Sequence, residues 1–156
     1  MELKEKLLSS YVAFENGVNI NSDVHGIRTK ALKEFDIPVN AISGTSIGAL
    51  VASFYAFGKD IEKVNNIILN LSWSDITSLS LSSFGLFSND KIESLLHEHL
   101  GTVNIEEANL PLSIIATNLT TGNKEVLESG DLVNAVSAST AIPGLFKPVE
   151  INGELM

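Results

Sequence analysis

Apolar positions spaced three and four apart alternate along the chain with short unbroken apolar runs. Leu3, Leu7, Leu8, Tyr11 and Val12 share one helical face, and residues 23–35 allow a second helix after a loop at 15–22 rich in Asn, Gly and Ser. Pro38 interrupts helix, and residues 39–43 read as a short buried strand. That strand runs directly into Gly44-Thr45-Ser46-Ile47-Gly48 and an apolar helix ending at Gly58. Asp60 is placed to cap a helix carrying Ile61, Val64, Ile68 and Leu71, and Ile92, Leu95, Leu96 and Leu100 mark another that stops at Gly101. Between these two, residues 72–89 are rich in Ser and Leu and read as a partly ordered surface excursion.

Further along, residues 112–117 form a continuous apolar run of strand length, and residues 124–128 give a second strand after the turn Thr121-Gly122-Asn123. Asp131 can cap a helix that Pro143 ends, and residues 149–151 lead into Asn152-Gly153, the strongest two-residue hairpin signal. Buried strands alternating with helices predict an α/β sheet covered on both faces.

Composition narrows the class. At 156 residues and 44% hydrophobic, the chain suits one domain whose core removes roughly 70% of the unfolded surface from water. There is no cysteine, so thiolate metal sites, disulfides and a catalytic thiol are excluded, and only His25, His97 and His99 supply nitrogen ligands. No metal and no cofactor are expected. A formal charge of -9 repels phosphate backbones and anionic headgroups, so no nucleic-acid partner is expected. The longest apolar stretch, residues 47–57, is about half the roughly 20 residues a membrane-spanning helix needs. The N-terminal MELKEKLL lacks the apolar region of a secretory signal, which makes a cytoplasmic setting the expectation. Charge also changes along the chain: residues 1–36 hold 5 basic and 6 acidic side chains, leaving 5 and 13 for the remainder.

Gly44-Thr45-Ser46-Ile47-Gly48 fits the G-x-S-x-G nucleophile elbow, in which a sharp turn between strand and helix lifts a serine Oγ above a sheet. The pentapeptide is short, and its weight comes from the strand predicted before it and the helix after it. Ser46 then needs a base and an oxyanion hole. In the Ser, Asp/Glu, His order of α/β-hydrolases the histidine comes last, but no histidine follows His99, and His97 and His99 read as ordinary helix-surface residues. A dyad of Ser46 with a carboxylate remains. Asp60, Asp75, Asp90 and Asp131 are downstream, the first and last reading as helix caps and the middle two as solvated loop residues.

From about residue 37 onward the chain resembles the patatin-like phospholipases, which are serine lipid acyl hydrolases. The likeness rests on PVNAISGTSIGALVASFYAFG, on SNDKIESLLHEHLG, on LPLSIIATNLTTGNKEVLESGDLVNAVSASTAIPGLFKPVEINGEL, and on their order and spacing. It implies a three-layer α/β/α sheet and a Ser-Asp dyad with Ser46 as nucleophile. Gly44 and Gly48 flank it in the elbow, the Ile47 N–H contributes to the oxyanion hole, and residues 138–146 line the wall beside the site. A lipid or ester substrate and peripheral membrane contact are expected with the same likeness, and the charge of -9 favours a neutral or zwitterionic substrate.

Two departures from the family pattern accompany it. The family's catalytic Asp lies in a D-G-G or D-G-A segment on the strand returning from a hairpin like Asn152-Gly153, whereas this sequence stops at Met156. Glu154 is nearby, but its extra methylene and register would misplace the carboxylate. The family's G-G-G-x-R-G oxyanion loop has no counterpart either, Gly17 being its nearest analogue. Residues 1–36 instead resemble the N-terminal segment of SUF-type iron–sulfur cluster assembly scaffold proteins, which would make the chain a helical segment at 1–36 joined to a partial patatin-like domain at 37–156, truncated at both ends. Two functions are therefore in view: a serine lipid acyl hydrolase, or a catalytically inactive remnant serving as an interaction domain. A hairpin cut after three residues would leave residues 149–151 with unpaired edge groups, and self-association is expected from that.

Overall fold

Leu112–Thr117 carries alternating burial, with Leu112, Ile114 and Ala116 facing the core, and this strand is the centre of the main sheet. The computed structural model describes residues 39–60, 63 and 89–156. In chain order these comprise β1 (Ile42–Thr45), α1 (Ile47–Ala56), α2 (Asp90–Leu100), a 3₁₀ turn (Ile105–Glu107), β2 (Leu112–Thr117), β3 (Lys124–Leu127), α3 (Leu132–Thr140), β4 (Glu150–Ile151) and β5 (Glu154–Leu155). The helices expected over the first 35 residues and after Asp60, and nearly all of the 72–89 excursion, lie outside the described residues.

The sheet order is β1-β2-β3. β1 runs parallel to β2, from Ile42 opposite Leu112 to Thr45 opposite Ile115, and the long crossover that parallel pairing requires contains α1 and α2. β3 returns antiparallel, from Thr117 opposite Lys124 to Ile114 opposite Leu127. The result is a mixed α/β sheet. In the tight turn between β2 and β3, the Asn118 side-chain oxygen accepts from the N–H groups of Thr120 (3.0 Å) and Thr121 (3.1 Å).

β1 begins three residues later than the apolar pattern of 39–43 suggests and takes in Gly44 and Thr45. The reason is its partner: pairing starts where the Ile42 N–H reaches the Pro111 carbonyl at 2.9 Å, and the ladder then carries through Thr45. Val39 to Ala41 have no strand opposite them among the described residues.

α1 is apolar around most of its circumference, with Ala49 to Phe54 and Ala56 buried, as a helix packed on β1, β2 and α3 together must be. α2 buries only Ile92 and Leu96 and packs on α3. Ile114 of the sheet, Phe54 and Leu50 of α1, Leu96 of α2 and Val136 of α3 meet in one core.

α3 starts as expected at Asp131, whose carboxylate accepts from the Asn134 N–H at 2.7 Å. It ends at Thr140, earlier than a stop imposed at Pro143 itself. Ala141 is already extended (φ -70°, ψ 103°), and the Thr140 hydroxyl turns back onto the carbonyls of Val136 and Ser137.

At the C-terminal end, Asn152 (φ 54°) and Gly153 (φ 82°) both adopt the left-handed conformation that a two-residue turn of type I′ requires. The expectation of unpaired groups at 149–151 is corrected here. Glu150 pairs with Leu155, Ile151 pairs with Glu154, and Val149 and Met156 exchange both backbone hydrogen bonds, at 3.1 and 2.8 Å. Three residues beyond the turn suffice to pair the incoming strand. The hairpin is also docked: the Leu119 N–H donates to the Leu155 carbonyl at 2.8 Å, and Met156 is buried with Ala116 and Ala138.

Candidate active site

The elbow is built by a close approach of α1 to β1. A Cβ on Gly44 would overlap the Gly48 carbonyl and come within 2.6 Å of the Ala49 Cα, so only glycine lets the first turn of the helix sit this near the strand. Gly44 is buried and Gly48 half-buried. Between them the chain must reverse within one residue, and that residue is Ser46, at φ 54°, ψ -129°. For a residue with a Cβ this is a strained conformation, worth about 1–3 kcal/mol against the fold.

Ser46 occupies the N-cap position of α1, yet its Oγ makes no capping bond. The contrast with Asp131, whose carboxylate is used as a cap, follows from the backbone: a cap residue ordinarily sits in the extended region, and a positive φ swings the side chain away from the helix. The side chain is exposed at the positive end of the α1 dipole. Ile47, half-buried, is the first residue of α1, and its N–H has no acceptor within the helix. The structure thus gathers Gly44, Ser46, Ile47 and Gly48 at one turn.

Ser139, on α3, joins this turn from across the fold. Its Oγ accepts the Ser46 N–H at 2.8 Å and donates to the Ile115 carbonyl at 2.6 Å. No local sequence signal announces it, because its partners are 93 and 24 residues away. Beside the turn lies a small cavity of about 150 Å³, lined by Thr45, Ile115, Ala116, Thr117, Leu119, Lys124, Ala138, Ser139, Ala141 and Pro143. The segment 138–146, expected to wall the site, contributes Ala138, Ser139, Ala141 and Pro143 to that lining.

The candidate bases are dispersed. Asp131 is held as the α3 cap, Asp60 follows α1, Asp90 opens α2, and Asp75 lies outside the described residues. Glu154 accepts from the Asn118 side-chain amide at 2.7 Å. His97 is exposed on α2, while His99 is half-buried with its ring edge-on to Phe54 at 6.0 Å; His25 lies outside the described residues. Among the described residues there is no group of three or more His, Asp or Glu side chains able to hold a metal ion, and no helix long and apolar enough to cross a membrane. Asn89, a position with no sequence signal, is buried where α2 meets α3: its amide donates to the Ser137 carbonyl at 2.8 Å and its oxygen has no partner among the described residues.

Comparison with known proteins matches residues 25–156 to the patatin-like phospholipases. The match begins inside the 1–36 segment. An uncharacterized NTE family protein of Mycobacterium tuberculosis is 32% identical over 130 residues, covering 81% of this chain and 36% of that protein. Lysophospholipase NTE1 of Cryptococcus neoformans var. neoformans is 27% identical over 133 residues, covering 81% of this chain and 8% of that protein. Neuropathy target esterase sws of Drosophila persimilis is 26% identical over 126 residues, covering 77% and 9%. The chain therefore spans 36% or less of the length of these relatives.

Proposed function

This chain belongs to the patatin-like phospholipase family, and from that premise we propose that it is the nucleophile-bearing part of a serine lipid acyl hydrolase. The observation that carries the reading is Ser46, a non-glycine residue at φ 54° on a one-residue turn between strand and helix, with its hydroxyl unused as a cap. Strain of this kind at an exposed hydroxyl is a feature of catalytic sites.

In this reading the Ser46 Oγ attacks the carbonyl carbon of a lipid ester while its proton passes to a carboxylate. The carbonyl oxygen, now an oxyanion, turns toward the Ile47 N–H at the positive end of α1. Collapse of the tetrahedral intermediate expels the alcohol and leaves an acyl-enzyme at Ser46, and water then releases the fatty acid. The carboxylates of Asp131 and Glu154 are engaged elsewhere, so we assign the base to the Asp of the family's D-G-G or D-G-A segment. The activity that lysophospholipase NTE1 is named for suggests a lysophospholipid or related phospholipid ester as substrate. Peripheral contact with a lipid surface fits the exposed Leu119, Ile142, Leu145 and Leu155, of which Leu119 also lines the cavity.

The alternative is a catalytically inactive patatin-like remnant serving as an interaction domain, favoured by the structural use of Asp131 and Glu154. One experiment separates the two. The chain is treated with a fluorophosphonate probe beside Ser46→Ala, and turnover of a short-chain p-nitrophenyl ester is followed. Labelling and turnover that require Ser46, in the chain alone or with a D-G-G or D-G-A segment supplied after it, support the hydrolase; a folded protein that does neither in both forms is the remnant.

A further inference from the structure

We propose that Ser139 is a positioning residue that holds the Ser46 turn in its reactive conformation, an inference that deepens the assignment of Ser46 and rests on it. The Ser139 hydroxyl has one proton and two lone pairs. Its proton is committed to the Ile115 carbonyl at 2.6 Å, which leaves a lone pair directed to the Ser46 N–H at 2.8 Å. The bond to Ile115 therefore fixes the sense of the bond to Ser46: this hydroxyl must act there as an acceptor.

The need for that acceptor follows from the backbone. At φ 54° the Ser46 N–H leaves the β1 ladder, whose last pair joins Thr45 to Ile115, and it precedes the first residue of α1. Neither element supplies it with a partner. Ser139 does so from a third element, tying the end of β2, the start of α1 and the last turn of α3 to one oxygen. A residue held in a sparsely populated conformation keeps it only when its surroundings over-determine it. Gly44 permits the turn, and Ser139 fastens it. The positioned group is the peptide that carries the Ser46 side chain on one side and leads to the Ile47 N–H on the other, so nucleophile and oxyanion donor are set together.

The test uses the full chain with Ser139→Ala and Ser139→Thr, the second retaining the hydroxyl. Two quantities are read: exchange of the Ser46 backbone amide by NMR, and the rate of fluorophosphonate labelling at Ser46. With Ser139→Ala the Ser46 amide is expected to exchange at least tenfold faster, while the Phe57 and Ala135 amides, in helical bonds away from the turn, keep their protection. Labelling is expected to slow by about tenfold, the effect of losing one ordinary hydrogen bond. Ser139→Thr should restore both. Unchanged exchange at Ser46 in a folded Ser139→Ala protein overturns the proposal, as does faster exchange with undiminished labelling. If the unaltered chain labels neither alone nor with a D-G-G or D-G-A segment supplied after it, the hydrolase reading fails, and the amide alone decides whether Ser139 holds the turn.

Discussion

Gly44 and Ser46 resolve the elbow into two physical requirements, one of space and one of backbone angle. Gly44→Ala should destabilise the fold by about 2–3 kcal/mol, read as a lower urea midpoint, because the new methyl meets the Gly48 carbonyl and the Ala49 Cα, which are backbone and cannot rotate away. Ser46→Gly should act in the opposite sense. Glycine removes the strain at φ 54° and gives back part of it in chain entropy, so thermal unfolding is expected to shift upward by about 1 kcal/mol while probe labelling is abolished. Opposite signs at two positions two residues apart would show that the turn spends stability on reactivity. The pentapeptide was legible because both requirements select residue types. Ser139 was not legible, since a hydroxyl inside a small-residue helix gives no hint that its partners come from β2 and the elbow.

Elements were legible where a local signal decided them. Asp131 announces the start of α3 and Gly101, at φ 79°, the end of α2, because caps act within a single turn. Removing such a signal should be measurable: Asp131→Ala loses the bond to the Asn134 N–H and is expected to lower stability by about 1 kcal/mol in chemical denaturation, without altering labelling at Ser46. The limits of β1 and α3 escaped the local pattern. β1 is placed by the chain it pairs with, beginning at the bond from Ile42 to Pro111, and α3 stops at Thr140 with Ala141 already extended, rather than at the proline. The sequence places the segment in both cases, and its neighbours place the ends.

Across the molecule, the buried Asn118 side chain serves two parts of the fold at once. Its oxygen closes the turn between β2 and β3, and its amide donates to Glu154 on β5, so one residue couples the main sheet to the terminal hairpin. Asn118→Ala should therefore loosen both, with a loss of about 2–3 kcal/mol and faster amide exchange at Val149 and Met156 than at Ile114. Equal acceleration at all three would mean that the hairpin unfolds only with the whole molecule. The same docking explains why β4 and β5, two residues each, are ordered at all: a hairpin this short is marginal alone, and Met156 is held against Ala116 and Ala138.

The sequence by itself determined the family likeness, the α/β alternation, the hairpin turn, and the elbow with its serine, because each is carried by residues within a few positions of one another and by their order along the chain. Tertiary structure alone decided which acceptor holds the Ser46 N–H, where β1 begins, and that residues 149–151 find partners in the three residues after the turn. Those outcomes depend on hydrogen-bonding groups that every residue possesses. Local pattern says that such groups must be satisfied, but only the packing of distant segments determines by which partner.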